Sequence, residues 1–375
     1  MSIAIGAKFK SFIVMLALSL CLGTAQADVG LGAIKLPPGF RIEIFTDQTP
    51  GARSLALGED GTVYIGSMQE GKVYAARDGN RDGKADRVHT LASGLNMPNG
   101  VAVLDGDLYV GEISRITKLK DIARHLENPP VAEVVYEGYP KDVHHGWKYL
   151  RVGPDRKLYV PVGAPCNICN PSQEIYATLT RLDPDGKNLE IYAKGIRNTV
   201  GFDWHPDNKD IWFTDNGRDW LGDDAPPDEL NTAPKADMHF GYPYCHGKEI
   251  ADPEFGKLKS CTHFSPPAWT FPAHVAALGM RFYTGTQFQA EYRGQLFVAQ
   301  HGSWNRSTPQ GYKVVVVRFE GGKPVGDQAF AEGWLNPDGT AIGRPVDILQ
   351  MPDGALLVSD DKRGAVYRIS YQAKR

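Results

Sequence analysis

The chain carries no excess of positive charge. Its 41 Lys and Arg face 44 Asp and Glu over 375 residues, a formal charge of −3. That removes the basic field by which a protein holds nucleic acid through counterion release, or an anionic membrane through a polybasic patch. Long apolar runs are scarce too. The run over 12–23 spans 12 residues, where a membrane-crossing helix needs about 20, so no stable membrane insertion is expected. Helical periodicity never outlasts a turn or two, and cysteine is limited to five residues. Abundant instead are 41 Gly and 26 Pro, the punctuation of many turns between short strands. Length alone allows two domains, but all-β propellers of this size fold as one.

The apolar run sits behind Lys8 and Lys10 and ends in Ala25-Gln26-Ala27. These are the charged, apolar and small-residue regions of a secretory signal peptide over 1–27. Cleavage is expected after Ala27, which places the mature chain in the periplasm or outside the cell. Cys21 leaves with the leader, and Leu20 before it does not suit lipoprotein processing. Four cysteines remain: Cys166 and Cys169 in a C-x-x-C, and Cys245 and Cys261 sixteen apart. In an exported chain this even set reads as two disulfides, Cys166–Cys169 and Cys245–Cys261. A four-cysteine zinc site is the competing reading, opposed by the spacing and the export signal. A redox C-x-x-C would need a βαβ context that the pattern lacks.

One pattern recurs: alternating apolar residues, a Pro/Asp/Gly turn, then a strand of the form Leu-Tyr-Val. Copies stand at 54–65, 100–110, 149–160, 201–213 and 346–358, with a looser one at 281–298. The turn residues Asp60, Asp105, Asp155 and Asp207 lie 45, 50 and 52 residues apart, the period of a four-stranded propeller blade. A lone hairpin cannot bury its inward side, so the copies must stack about an axis. The expectation is an all-β, six-bladed β-propeller over 28–375. The alternating stretches 40–45 and 365–371 are expected to pair in one blade and close the ring, which removes an open edge. The interval after Asp207 is too long for one blade. Residues 218–275 are expected to form an inserted loop pinned by Cys245 and Cys261, and loops of that length are commonly functional.

Propellers bind ligands at the channel mouth, where the loops leading into the innermost strands converge. The third copy is led in by Asp142-Val143-His144-His145-Gly146-Trp147, the fourth by Gly195-Ile196-Arg197-Asn198 and the sixth by Gly343-Arg344-Pro345-Val346-Asp347. A lone loop histidine is more often structural than catalytic. A histidine beside two arginines at equivalent blade positions suits an anionic cofactor or a developing alkoxide. Separately, Asp78, Asn80, Asp82 and Asp86 surround Gly83 at the spacing of a calcium loop, without the twelfth-position Glu of an EF-hand. A plain hairpin turn is the other reading of that segment.

On these residues the chain, from 38 to 371, resembles the soluble glucose/sorbosone dehydrogenases, six-bladed propellers that use pyrroloquinoline quinone (PQQ) and calcium. His145 lies eight residues before Gly153-Pro154-Asp155, with Leu-Tyr-Val beyond, the placement of that family's catalytic base. Gly195-Ile196-Arg197-Asn198 is similar to its G-x-R-N, whose Arg and Asn contact the quinone. Asn216-Gly217-Arg218, followed by Asp228-Glu229-Leu230-Asn231, resembles the segment whose consecutive backbone carbonyls hold the active-site calcium; here these are Gly217 and Arg218. Arg344 matches one of two arginines that glucose-oxidising members place on the PQQ carboxylates. Val346 stands where the second belongs, and 298–306 lacks their lysine, with His301 and Arg306 as candidate replacements. The segments 300–306 and 166–169 resemble the sorbosone-dehydrogenase-like branch.

The resemblance implies oxidation of a sugar, sugar aldehyde or alcohol. His145 would take the hydroxyl proton while hydride passes to PQQ, with calcium polarising the quinone carbonyl and Arg197 stabilising the charge on its oxygen. No C-x-x-C-H haem motif occurs, so electrons are expected to leave to a separate cytochrome or quinone. Two other readings stand beside this one. A calcium-dependent, lactonase-like hydrolase would supply side-chain carboxylates and Asn to its metal. A noncatalytic extracellular binding propeller would use Trp147, Trp220 and Trp304 as a ligand platform.

Overall fold

The aspartates of the recurring turns act as their short acceptor side chains dictate. Asp60 accepts from the Thr62 N–H at 3.1 Å, Asp155 from Lys157 at 3.2 Å and Asp353 from Ala355 at 3.1 Å, closing tight hairpins. The computed structural model describes Met1 and residues 30–372; the signal-peptide region with Cys21 and the expected cleavage point lie outside the described residues. The hairpins assemble into six antiparallel sheets about one axis, a six-bladed β-propeller. Among the described residues helix is limited to four short 3-10 turns, and none is long and apolar enough to cross a membrane.

Each blade takes its four strands in chain order. The first holds Leu55–Leu57, Val63–Ile65, Val73–Arg77 and Arg87–Ala92; the fourth holds Phe202–Trp204, Ile211–Asp215, Pro227–Ala233 and Trp269–Ala273. The sixth breaks the rule: its outer strand is Phe40–Thr46, paired with Ala365–Tyr371 through partners such as Ile42 and Ile369. The two ends of the fold are thereby fastened to each other.

Packing between blades supplies the core. Tyr149, Phe202, Ile211 and Phe213 fill the space between blades three and four, and Trp212, Met280, Phe282 and Leu296 the next. Innermost strands approach so closely that a Cβ on Gly201 would lie 2.2 Å from the Leu278 carbonyl oxygen. Buried carboxylates stitch neighbours together: Asp203 accepts from the Phe282 N–H and Asp347 from the Leu55 N–H, each at 2.9 Å.

The segment 218–275 is not one loop. It contains two strands of the fourth blade, Pro227–Ala233 and Trp269–Ala273, because Asp228, Leu230 and Phe271 carry buried side chains into that blade. The excursion is confined to the residues between them. There Met238–His239 adds a parallel fifth strand to the third blade, and Cys245–His246 pairs with Ile250–Ala251. Cys245 and Cys261 are bonded, as are Cys166 and Cys169. Opening the 16-residue Cys245–Cys261 loop with a double Cys→Ser variant is expected to cost about 3 kcal/mol, read as a lower midpoint in denaturant unfolding.

Candidate active site

The loops that lead into the innermost strands, and those joining second to third strands, meet at one end of the channel. They enclose a cavity of about 630 Å³. From the leading loops come Arg53, His145, Trp147, Arg197, Asn198, His274 and Arg344; from the others come Glu70, Gly217, Asp219, His301, Trp304, Asn305, Asp361 and Lys362. The cavity floor is apolar: Trp147, Val200, Leu278 and Val346 pack together across four blades.

His145 is 8% exposed and has a left-handed φ of 49°, a conformation a non-glycine residue keeps only where its surroundings impose it. Gly163 lies directly behind it, since a Cβ there would be 2.5 Å from the His145 Cβ. The imidazole Nδ1 is 2.9 Å from the Ala164 carbonyl oxygen. A carbonyl only accepts, so Nδ1 carries the proton and Nε2 is left with its lone pair. Burial, then Arg197 and His144, holds this ring well below the ordinary imidazole pKa. The group is therefore neutral and basic at Nε2 well into the acidic range. We expect the His145 ring, followed by NMR, to keep its Nδ1–H tautomer from pH 7.5 down to 6, whereas an ordinary histidine would be mostly protonated at the lower pH.

Arg197 is buried in a fixed cradle. Its Nε and Nη2 reach the Asn167 carbonyl and side-chain oxygens at 2.9 and 2.8 Å, its Nη1 the Asn216 carbonyl at 3.1 Å, and Nη2 also Asp219 at 3.3 Å. Asn167 lies between the bonded Cys166 and Cys169 and also pairs with the Asp219 backbone. The backbone N–H groups of Arg197 and Asn198 both bond the Asp215 carboxylate, whose pKa burial raises.

His301 and Arg344 also line the cavity. Arg344 Nε donates to the His301 carbonyl at 3.1 Å and its guanidinium lies 5.4 Å from the Tyr312 ring centroid. His301 Nε2 is 2.9 Å from Asp361, which Arg53 also contacts at 2.8 Å. Burial works to raise the Asp361 carboxyl, but His301 and Arg53 outweigh it and hold it well below the carboxylate range. Arg306, expected at the cofactor, is turned away. It bonds the Asp223 carbonyl and the Asp224 carboxylate, stapling its loop to the neighbouring one. Val346, where the resemblance would place a second arginine, packs instead with Val200 and Leu278.

Two cations that the sequence reading missed, Arg53 and Lys362, line the same cavity. Arg53 had a signal: it directly precedes the first repeat copy, the blade position that also supplies His145, Arg197 and Arg344. Gly217 lines the cavity, its N–H fixed by Asp228 at 2.9 Å, while the Arg218 side chain turns away to Asp252 at 2.7 Å. Among the described residues no donor reaches the carbonyl oxygen of Gly217 or Arg218. Asp78, Asn80, Asp82 and Asp86 lie on one exposed loop, where Asp78 and Asp86 accept from its backbone N–H groups and Asn80 donates to Asp86. Among the described residues no three His, Cys, Asp or Glu side chains gather as a metal-holding group.

A family model described as "Domain of unknown function (DUF7133)" matches residues 30–368. The chain belongs to this family. An "Uncharacterized protein" of Borreliella burgdorferi is 34% identical over 363 residues, covering 93% of this chain and 94% of its own. A 51-residue stretch, 14% of this chain and 6% of the relative, is 51% identical to a "Pyrroloquinoline quinone-dependent pyranose dehydrogenase" of Coprinopsis cinerea. Two solved structures share the propeller of this DUF7133 chain. The calcium structure of a Trichoderma reesei Carbohydrate-Active Enzymes Family AA12 protein superposes with a TM-score of 0.79 at 19% identity, covering 90% of this chain and 97% of its own. The holo form of the pyranose dehydrogenase PQQ domain from Coprinopsis cinerea gives 0.74 at 20% identity, with the same coverage. At such identities the likeness is one of fold.

Proposed function

We propose that the protein is a PQQ-dependent, calcium-assisted dehydrogenase of a sugar, sugar aldehyde or alcohol, exported to the periplasm or beyond and passing its electrons to a separate carrier. One observation carries the reading: neutral His145, with Nε2 free, sits in the wall of a cavity that also presents Arg53, Arg197, Arg344 and Lys362, among the acids Glu70, Asp219, Asp228 and Asp361. A base among fixed cations suits a substrate that must lose a proton beside an acceptor that gains negative charge.

The residues fit the cofactor. Arg53, Arg197 and Arg344 offer guanidinium groups to the carboxylates and carbonyls of a planar anion, and the Nε1–H of Trp147, a residue of the cavity floor, is buried without a partner. The carbonyls of Gly217 and Arg218 have the hard-oxygen chemistry that calcium prefers. When bound, the quinone supplies a two-electron acceptor for hydride, and calcium polarises its carbonyl. The chain's own part is to hold the substrate hydroxyl against His145 Nε2, take its proton there, and keep the tautomer fixed through Ala164. Arg197, locked by Asn167, Asn216 and Asp219, holds positive charge in place without reorganising. The relatives support this reading: one curated match is a PQQ-dependent dehydrogenase by name, and the AA12 structure is described as a calcium structure.

The hydrolase alternative fares less well, because three of the four acids lining the cavity are already committed, and the fourth, Glu70, is exposed. Asp219 serves Arg197 and Asn305, Asp361 serves Arg53 and His301, and Asp228 serves backbone N–H groups. The sorbosone-like substrate preference rests on the resemblance at 166–169 and 300–306. The test is to add PQQ and calcium to the purified protein, titrate cofactor binding, and scan aldoses, sorbosone and simple alcohols with an electron-accepting dye. Activity that needs both additions is the expected result; no PQQ binding at all would overturn the proposal.

A further inference from the structure

Seven tryptophans occur in the chain, and only Trp220 and Trp304 are largely exposed, at 67% and 66%. They touch each other. Their rings lie 5.4 Å apart at an interplanar angle of 88°, forming a right-angled aromatic corner. Trp304 belongs to the wall of the cavity that holds His145, and Trp220 follows the cavity residue Asp219. Solvation strongly favours covering such surface, so an exposed pair at a cavity rim calls for an occupant.

Two further features show that the corner is built. Trp220 has a left-handed φ of 71°, a strained conformation for so bulky a residue and one that keeps the indole out of the fold. The loops carrying the two rings are also zipped together. Asn305 Nδ2 donates to Asp219 at 2.8 Å, Arg306 to Asp224 at 3.0 Å, the Ser307 N–H to Asp223 at 3.1 Å, and Asn167 holds the Asp219 N–H at 2.8 Å. The corner is thus rigid before anything binds. Because Asn305 gives its amide N–H to a carboxylate, its Oδ1 is fixed as an acceptor, and that oxygen of a cavity-lining residue is buried with no partner. A rigid apolar face next to an unused acceptor matches a pyranose ring, whose C–H face stacks on indole while its hydroxyls donate.

We propose that Trp220, Trp304 and Asn305 form a subsite for the second ring of a saccharide, so that the protein takes oligosaccharides by their reducing end. The proposal rests on the dehydrogenase reading for what happens to the first ring, which enters the cavity toward His145. The cavity, of about 630 Å³, is within the range of a single small-molecule site; with a cofactor and one sugar ring inside it, a further ring would lie across the rim where the indoles stand.

The test compares glucose, cellotriose and maltotriose on the PQQ- and calcium-loaded protein and on W220A, W304A and N305A. In the wild type a trisaccharide is expected to have a kcat/KM about tenfold above glucose, and each tryptophan variant is expected to lower that ratio about tenfold. Equilibrium titration of intrinsic tryptophan fluorescence with the same trisaccharides, without cofactor, reads the corner directly. If no sugar is oxidised yet a trisaccharide still quenches wild-type fluorescence and fails to do so in W304A, the dehydrogenase reading falls and the saccharide subsite stands. A ratio that the variants leave unmoved, together with no quenching, overturns the subsite. So does a uniform loss of rate with every sugar at limiting acceptor, which would assign the corner to docking of the electron carrier.

Discussion

Replacing His145 by Ala is expected to lower kcat on the order of a thousandfold, while the protein still binds PQQ and unfolds at nearly the wild-type midpoint. The loss follows from position and chemistry together. Nδ1 is spoken for by Ala164, so Nε2 is the site that takes the substrate proton, and burial keeps it unprotonated. A second variant separates the base from its placement. Gly163→Ala introduces a Cβ 2.5 Å from the His145 Cβ and 2.7 Å from its carbonyl oxygen, so the imidazole must shift while its chemistry is unchanged. A displacement of about 1 Å is enough to cost roughly a hundredfold. An H145A protein with full turnover would remove the base role, and a G163A protein with full turnover would show that the strained loop tolerates movement.

The fold was legible because its signals are local. An aspartate at five of the six turns and apolar alternation on either side make a hairpin within a dozen residues, and repeating it leaves stacking as the way to bury the inward face. His145 was pointed to by the family resemblance, which puts a catalytic base eight residues before the blade's turn, and it stands in the cavity wall. Arg197 and Arg344 were legible from their blade positions, but the pairing of the remaining charges was not, because it is assembled across the ring. Arg53 meets Asp361, 308 residues on, and Asp361 meets His301 from a third loop. Arg306 shows the same limit from the other side. Its sequence neighbourhood pointed to the cavity, but Asp223 and Asp224 on the adjoining loop capture its guanidinium, and no feature within 300–306 announces those partners. The inserted segment misled through length: 218–275 looked like one excursion because its two blade strands, Pro227–Ala233 and Trp269–Ala273, lie on either side of a disulfide-closed detour.

Arg197→Met is expected to damage both the fold and the site, by about 3–5 kcal/mol in unfolding free energy and by loss of measurable PQQ binding. The guanidinium side chain is 5% exposed and the Asp219 carboxylate 16%, so its removal takes the counter-charge from a part-buried acid that keeps only Asn305, and leaves the Asn167 and Asn216 carbonyls without this donor. Arg197→Lys separates the two losses. A lysine restores the charge and one contact but cannot span the Asn167 and Asn216 oxygens together, so most stability should return while cofactor affinity stays low. The Cys166–Cys169 ring acts on the same element from outside: it encloses Asn167, whose carbonyl and side-chain oxygens hold the fork. Opening that ring with a double Cys→Ser variant should therefore reproduce the weakened PQQ binding of Arg197→Lys without touching a cavity residue. If the double variant binds PQQ as the wild type does, Asn167 is held by Asp219 alone, and the disulfide has no part in placing the cation beside His145.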